Sequence, residues 1–168
     1  MSVFSRLFGR RTVLRFRSET WGRMIAELEH RAGGHRESGA FLLAPVASTA
    51  ATIIDVVYYD DLDPDALDGG VSLQAGAFSR LWSHCARQHL RVVGDVHTHP
   101  ADIVRQSGID RANPMVARIG HVAVIVPNLA AGVIQPANLG VHLYRGEDGW
   151  TSSFGRDAAA LLYIGRWA

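Results

Sequence analysis

Residues 94–110 read "GDVHTHPADIVRQSGID". The run before them, "RVVGDVH" (91–97), has the composition of a short strand that ends at this stretch. Successive strand residues point to opposite faces, so His97 and His99 project the same way at the strand's C-terminal end. Two imidazoles aimed together are the donors a zinc or iron site uses. The same pair also fits two exposed histidines where a strand runs out into solvent. Further on, Ser107-x-x-Asp110 has the form of a capping box, with Ser107 as N-cap and Asp110 at the third helical position. Such a box is local structure, and it also fixes where both side chains sit. Asp102 is nearer in sequence as a third ligand, but it follows Pro100 in an irregular turn, so Asp110 ranks above it.

Outward from this stretch, helices and strands alternate. "SETWGRMIAELEHR" (18–31) begins with a capping-type serine and sets Trp21, Met24, Ile25 and Leu28 on one helical stripe. "SGAFLLA" (38–44) and "TIIDVVYY" (52–59) read as strands joined through Pro45, and "DDLDPDALDGG" (60–70) as an acidic, turn-rich loop. A second helix is expected over 73–89, with Phe78, Leu81, Trp82 and Cys85 on its buried side. "HVAVIVP" (121–127) is a further core strand, and 141–154 a hairpin turning at Gly146–Gly149. The C-terminal "RDAAALLYIGRWA" leans to helix. The pattern implies an α/β protein with a single mixed β-sheet flanked by helices.

The 168 residues suit one domain spanning 1–168, with a core large enough to need no staples. With 48% hydrophobic and 20% charged residues and a net charge of +1, nothing in the whole chain argues for nucleic-acid binding. A single cysteine, Cys85, excludes an internal disulfide and a multi-cysteine zinc site, and on the buried stripe of a helix it reads as core. Apolar stretches such as "VAVIV" are too short to span a bilayer, and the arginine-rich N-terminus lacks the apolar region of an export signal. The expected location is the cytoplasm, with no membrane partner.

Several metal-hydrolase patterns are absent. There is no H-E-x-x-H, and H-x-H-x-D-H fails at Ala101 and Asp102. A zinc nucleobase deaminase needs P-C-x-x-C, which one cysteine cannot supply. What does match is His97-x-His99-Pro100, seven residues from Pro100 to Gln106, then Ser107-x-x-Asp110, preceded by Glu37 in "RESGAFLLAP". Five positions in this order and spacing resemble the JAMM (MPN-plus, Mov34/JAB) metalloproteases over about residues 20–130. The basic arm 1–17 and the C-terminal third add nothing to the likeness. Asp95 stands where many members carry an aromatic residue.

The resemblance implies the MPN/JAB (cytidine-deaminase-like) fold and one Zn²⁺ per chain on His97, His99 and Asp110, with a fourth position open to water. It implies Glu37 as the proton shuttle and Ser107 as hydrogen-bond donor to the developing oxyanion. Family members hydrolyse amide bonds, most often the isopeptide bond after a ubiquitin-like protein's tail. The compact form resembles bacterial members encoded beside ubiquitin-like, E1-like and E2-like genes, some linked to anti-phage defence. The expected activity is therefore a zinc isopeptidase or peptidase on a ubiquitin-like modifier, with that modifier, its conjugates and E1- or E2-like proteins as partners. Alternatives are a peptidase on sulfur-carrier proteins, a non-catalytic MPN scaffold, and a RadC-like DNA-associated protein using Arg6, Arg10, Arg11, Arg15 and Arg17. On a regular strand Asp95 shares a face with both histidines and could orient a ligand, line the pocket or be solvated. His121 and His142 read as structural.

Overall fold

The computed structural model describes residues 12–168. In chain order the elements are β1 (Leu14–Arg17), α1 (Ser18–Ala32), β2 (Gly39–Pro45), β3 (Thr52–Ile53), β4 (Asp55–Tyr58) and α2 (Tyr59–Leu62). There follow α3 (Ala75–Gln88), β5 (Leu90–Thr98), α4 (Gly108–Ala112), β6 (Val122–Val126), β7 (Gly140–Tyr144), β8 (Trp150–Phe154), α5 (Arg156–Leu161) and β9 (Leu162–Gly165). Six strands form the mixed sheet in the order β4-β2-β5-β6-β7-β8. Neighbours run antiparallel except β5 and β6, which are parallel, so their C-terminal ends emerge at the same edge.

The two faces of this sheet carry different loads. Ala40, Leu42 and Ala44 of β2, Val96 of β5, Val122, Val124 and Val126 of β6 and Val141 of β7 pack against Trp21, Met24 and Leu28 of α1. The other face puts Phe41 and Leu43 against Tyr59, Leu62, Leu81 and Cys85, from α2 and α3. Each fully buried Val, Leu, Phe or Met side chain among these contributes about 1.5–3 kcal/mol of hydrophobic stabilisation. Strands buried on both faces read as near-continuous apolar runs, which is why "AFLLA" and "VAVIV" lack polar alternation.

Several local expectations are corrected. The 52–59 run breaks at Ile54: Thr52–Ile53 joins one sheet and Asp55–Tyr58 another. The acidic loop opens with a helical turn, α2, whose Asp60 and Asp61 pair with Arg31 at 2.5 and 2.9 Å. On α3 the buried stripe is Ala77, Leu81 and Cys85, spaced by four, and it leaves Trp82 45% exposed. Ser18 is the first helical residue of α1 and caps nothing; Arg17 holds the cap position without a side-chain bond.

A second, three-stranded parallel sheet, β3-β1-β9, uses both ends of the described chain. The C-terminal segment is thus a short helix followed by a strand, because "LYIG" (162–165) pairs with β1. For residues 14–17, β1 corrects the reading of an appended arm: "LRFR" alternates with period two, and Leu14 and Phe16 are fully buried. Arg15 stacks over the Tyr163 ring at 4.4 Å. Arg6, Arg10 and Arg11 lie outside the described residues.

Candidate metal centre

β5 delivers His97 and His99 to the edge where it and β6 end. Both imidazoles are buried, and their Nε2 atoms lie 3.2 Å apart. Asp110 Oδ2 is 3.8 Å from His97 Nε2 and 3.6 Å from His99 Nε2. Zinc bonds of about 2.0–2.1 Å at tetrahedral angles put ligand atoms roughly 3.4 Å apart, so the three donors stand close to the spacing that a single ion requires. Among the described residues this is the only cluster of three His, Cys, Asp or Glu side chains with such spacing. Asp102 takes no part in it.

Local chemistry fixes each donor. The capping box of α4 is present in both directions: Ser107 Oγ accepts from Asp110 N at 3.1 Å, and Asp110 Oδ2 accepts from Ser107 N at 2.8 Å. The oxygen that caps the helix is therefore the one that faces the histidines. His99 Nδ1 donates to the Ile103 carbonyl at 2.9 Å, which leaves the Nε2 lone pair for a metal. The His99 backbone is also held. Its N–H donates to Val126 O at 2.9 Å and its carbonyl accepts from Leu129 N at 2.8 Å. Leu129 belongs to an unusual turn in which Asn128, Leu129 and Ala130 all have positive φ (53°, 55° and 64°). Left-handed backbone costs about 1–2 kcal/mol per non-glycine residue, so the surrounding bonds must hold this turn in place.

Glu37 precedes β2. The pairing that sets Gly39 opposite His97 is followed by one more backbone bond, from Thr98 N–H to the Ser38 carbonyl at 2.8 Å, and Glu37 is the next residue back from Ser38. Its carboxylate is not one of the clustered ligand atoms and has no hydrogen-bond or ion-pair partner among the described residues. Glu37 lines an open cleft with His35, Arg36, Leu67, Asp68, Gly69, Gly70 and Pro100, so the end of the acidic loop forms one wall of that cleft.

Behind the cluster lies a second layer; of its members the sequence offered Asp95 as a residue that could orient a ligand and read His121 and His142 as structural, and it gave no sign of Tyr59. Registered pairs run in one row across the sheet: Phe41, Asp95, Ala123, His142, Ser152. Asp95 is 1% exposed; its Oδ1 lies 2.6 Å from His121 Nε2, its Oδ2 accepts from Tyr59 OH at 3.2 Å and stands 3.6 Å from His97 Nδ1. It is buried rather than solvated, and it lines a small cavity together with His97, Gln106 and Asp110. His142, also buried, holds the loop between the motif halves: its Nε2 is 3.0 Å from the Val104 carbonyl, and its Nδ1 is 2.8 Å from Ser152 Oγ. Gly140 allows that loop to approach, since a Cβ there would collide with the Val104 carbonyl. The signal for His121 was parity: it lies two residues before Ala123, on the face of Ala123's partner Asp95. That signal becomes legible only once the parallel pairing is known.

The electrostatics favour positive charge at the centre. Burial alone would lower the His97 imidazole, but Asp110 and Asp95 on either side raise it to about 9. Burial likewise opposes ionisation of Asp110, yet His97, His99 and the Ser107 bond hold it far below the usual carboxylate range. Asp95 is brought down to about 2 against its burial by His121 and His97. Either protons or a metal cation can supply the charge these carboxylates favour.

No protein-family model matches the chain. Among solved structures, it is similar to protein DSY2949 from Desulfitobacterium hafniense, with a TM-score of 0.60 and 14% identity over 90% of this chain and 92% of that one. It is also similar to a protein from Salinibacter ruber, with a TM-score of 0.53 and 17% identity over 83% and 88% of the two chains. A further match, at a TM-score of 0.44 and 16% identity over 90% and 96%, is AF2198, a JAB1/MPN domain protein from Archaeoglobus fulgidus. Among the described residues no helix is long and apolar enough to cross a membrane. The chain is a mixed α/β protein whose fold is shared with DSY2949 and the Salinibacter ruber protein, and it carries a His-His-Asp cluster fit for a metal ion.

Proposed function

We propose that the protein is a zinc-dependent isopeptidase or peptidase of the JAMM type, with the MPN/JAB fold, acting after the C-terminal tail of a ubiquitin-like modifier. The observation that carries this reading is the meeting of His97 Nε2, His99 Nε2 and Asp110 Oδ2 at separations of 3.2–3.8 Å. Three protein donors with one position left over suit catalysis, since structural zinc sites are closed. A bound Zn²⁺ would supply Lewis acidity, lowering the pKa of a water from about 15.7 towards about 7.

The chain's own groups do the rest. Glu37, free of other partners, accepts the proton of the attacking water and passes it to the leaving amine. Ser107 Oγ spends a lone pair on Asp110 N, and its hydroxyl hydrogen remains free to meet the oxyanion of the tetrahedral intermediate. An extended tail would enter along the cleft between Pro100 and the Leu67–Gly70 wall, where Gly69 and Gly70 present no side chain. E1- or E2-like proteins acting on the same modifier would be its neighbours in a conjugation pathway in the cytoplasm, in some bacteria one that opposes phage.

The test is cleavage of a fusion between a ubiquitin-like modifier and a reporter, with and without chelator. Cleavage that stops on chelation and returns with Zn²⁺ supports the reading. Cleavage unchanged under chelation, or a zinc-loaded chain inert on modifier fusions and sulfur-carrier fusions alike, overturns it.

A further inference from the structure

We propose that Asp95 is a positioning residue for His97, and that His121 and Tyr59 are present to hold Asp95. The inference rests on His97 being a metal ligand.

A buried ionised carboxylate costs several kcal/mol unless it is paired and hydrogen-bonded, and apolar residues of similar volume often replace buried ion pairs without loss. Nothing in core packing therefore asks for an aspartate between Gly94 and Val96. Its surroundings are nonetheless arranged around it. An ionised carboxylate only accepts, so the 2.6 Å contact fixes the His121 proton on Nε2, and Tyr59 OH donates to the second oxygen. Tyr59 reaches Asp95 because its ring lies over Gly39, where any Cβ would meet the ring and the Val96 carbonyl. A glycine directly opposite His97 thus makes room for the residue that secures Asp95.

Secured this way, Asp95 Oδ2 stands 3.6 Å from His97 Nδ1, on the side away from Nε2. At that distance the contact is electrostatic rather than a full hydrogen bond. The negative charge favours the proton on Nδ1 and so leaves the Nε2 lone pair turned to Asp110 and His99. His99 obtains the same bias from the Ile103 carbonyl. The two ligands are set by different means, one by backbone and one by a carboxylate held by His121, just before β6, and by Tyr59 of α2.

The experiment compares the full-length wild type with Asp95→Asn, which keeps the shape and removes the charge, and with Tyr59→Phe, which keeps the ring over Gly39. Zinc affinity is read by chelator competition, and the His97 side-chain nitrogens by ¹⁵N NMR of the zinc-loaded protein. Asp95→Asn is expected to weaken zinc binding about 10–100-fold, and Tyr59→Phe about 10-fold, both with a shifted His97 Nδ1 signal. A wild type that binds no zinc at this cluster overturns the metal reading itself. A wild type that binds zinc, beside two folded variants of unchanged affinity and unchanged His97 signal, overturns only the role given to Asp95. If Asp95→Asn does not fold, Tyr59→Phe alone decides in the same way.

Discussion

Ser107 and Asp110 hold each other: each backbone N–H is bonded to the other's side chain, at 2.8 and 3.1 Å, and the Asp110 oxygen so engaged faces His97 and His99. Folding one turn of helix therefore also aims a ligand. Replacing Ser107 by alanine should cost about 1 kcal/mol of stability as a lost cap. Under the proposed mechanism it should also slow cleavage about 10²–10³-fold while zinc stays bound. Thermal denaturation, metal analysis and turnover on one preparation separate the three effects; loss of zinc would show that the cap, not the hydroxyl, is what matters.

Glu37 lies outside the ligand cluster and has no other partner among the described residues. Glu37→Gln should leave zinc content and melting temperature at wild-type values and bring cleavage close to background. A variant that lost its zinc would mean that Glu37 is a ligand.

Gly39 faces Tyr59 across very little space. Gly39→Ala forces the ring or the β5 backbone to move, with an expected destabilisation of about 1–3 kcal/mol. Urea unfolding measures it, and a neutral result would show that the ring shifts freely.

His142 ties the Val104 carbonyl to β8, and burial lowers its pKa below the ordinary value. The unfolded chain therefore takes up this proton first, at about pH 6.5, so the His142 contribution is intact above that pH and is lost as pH falls through the depressed native value. The stability difference between wild type and His142→Leu should accordingly shrink between pH 7.5 and pH 5. A gap that stays constant over this range would remove His142 titration from the account.

Much of this site was legible before any coordinates, because it is local. His97 and His99 follow from strand parity, and Ser107 and Asp110 from a four-residue cap. Both rules act within a turn or two of chain. The layer behind was legible only in part: Asp95 follows from the same parity as the histidines, but Tyr59, His121 and His142 come from separate parts of the chain that sheet order brings together. The N-terminal strand was hidden for a related reason: "LRFR" has the right period, but its partner β9 lies at the other end of the chain. Trp82 was misplaced because a stripe at 78, 81, 82 and 85 and one at 77, 81 and 85 differ by a small rotation of the helix, which only the packing of α3 decides.

The most direct measurement is zinc stoichiometry in the purified wild type beside His97→Ala, His99→Ala and Asp110→Ala. The account predicts one zinc per wild-type chain and a large loss in each variant while the fold is retained. Zinc held equally by the wild type and the His97→Ala and His99→Ala proteins, or by none of them, would contradict it.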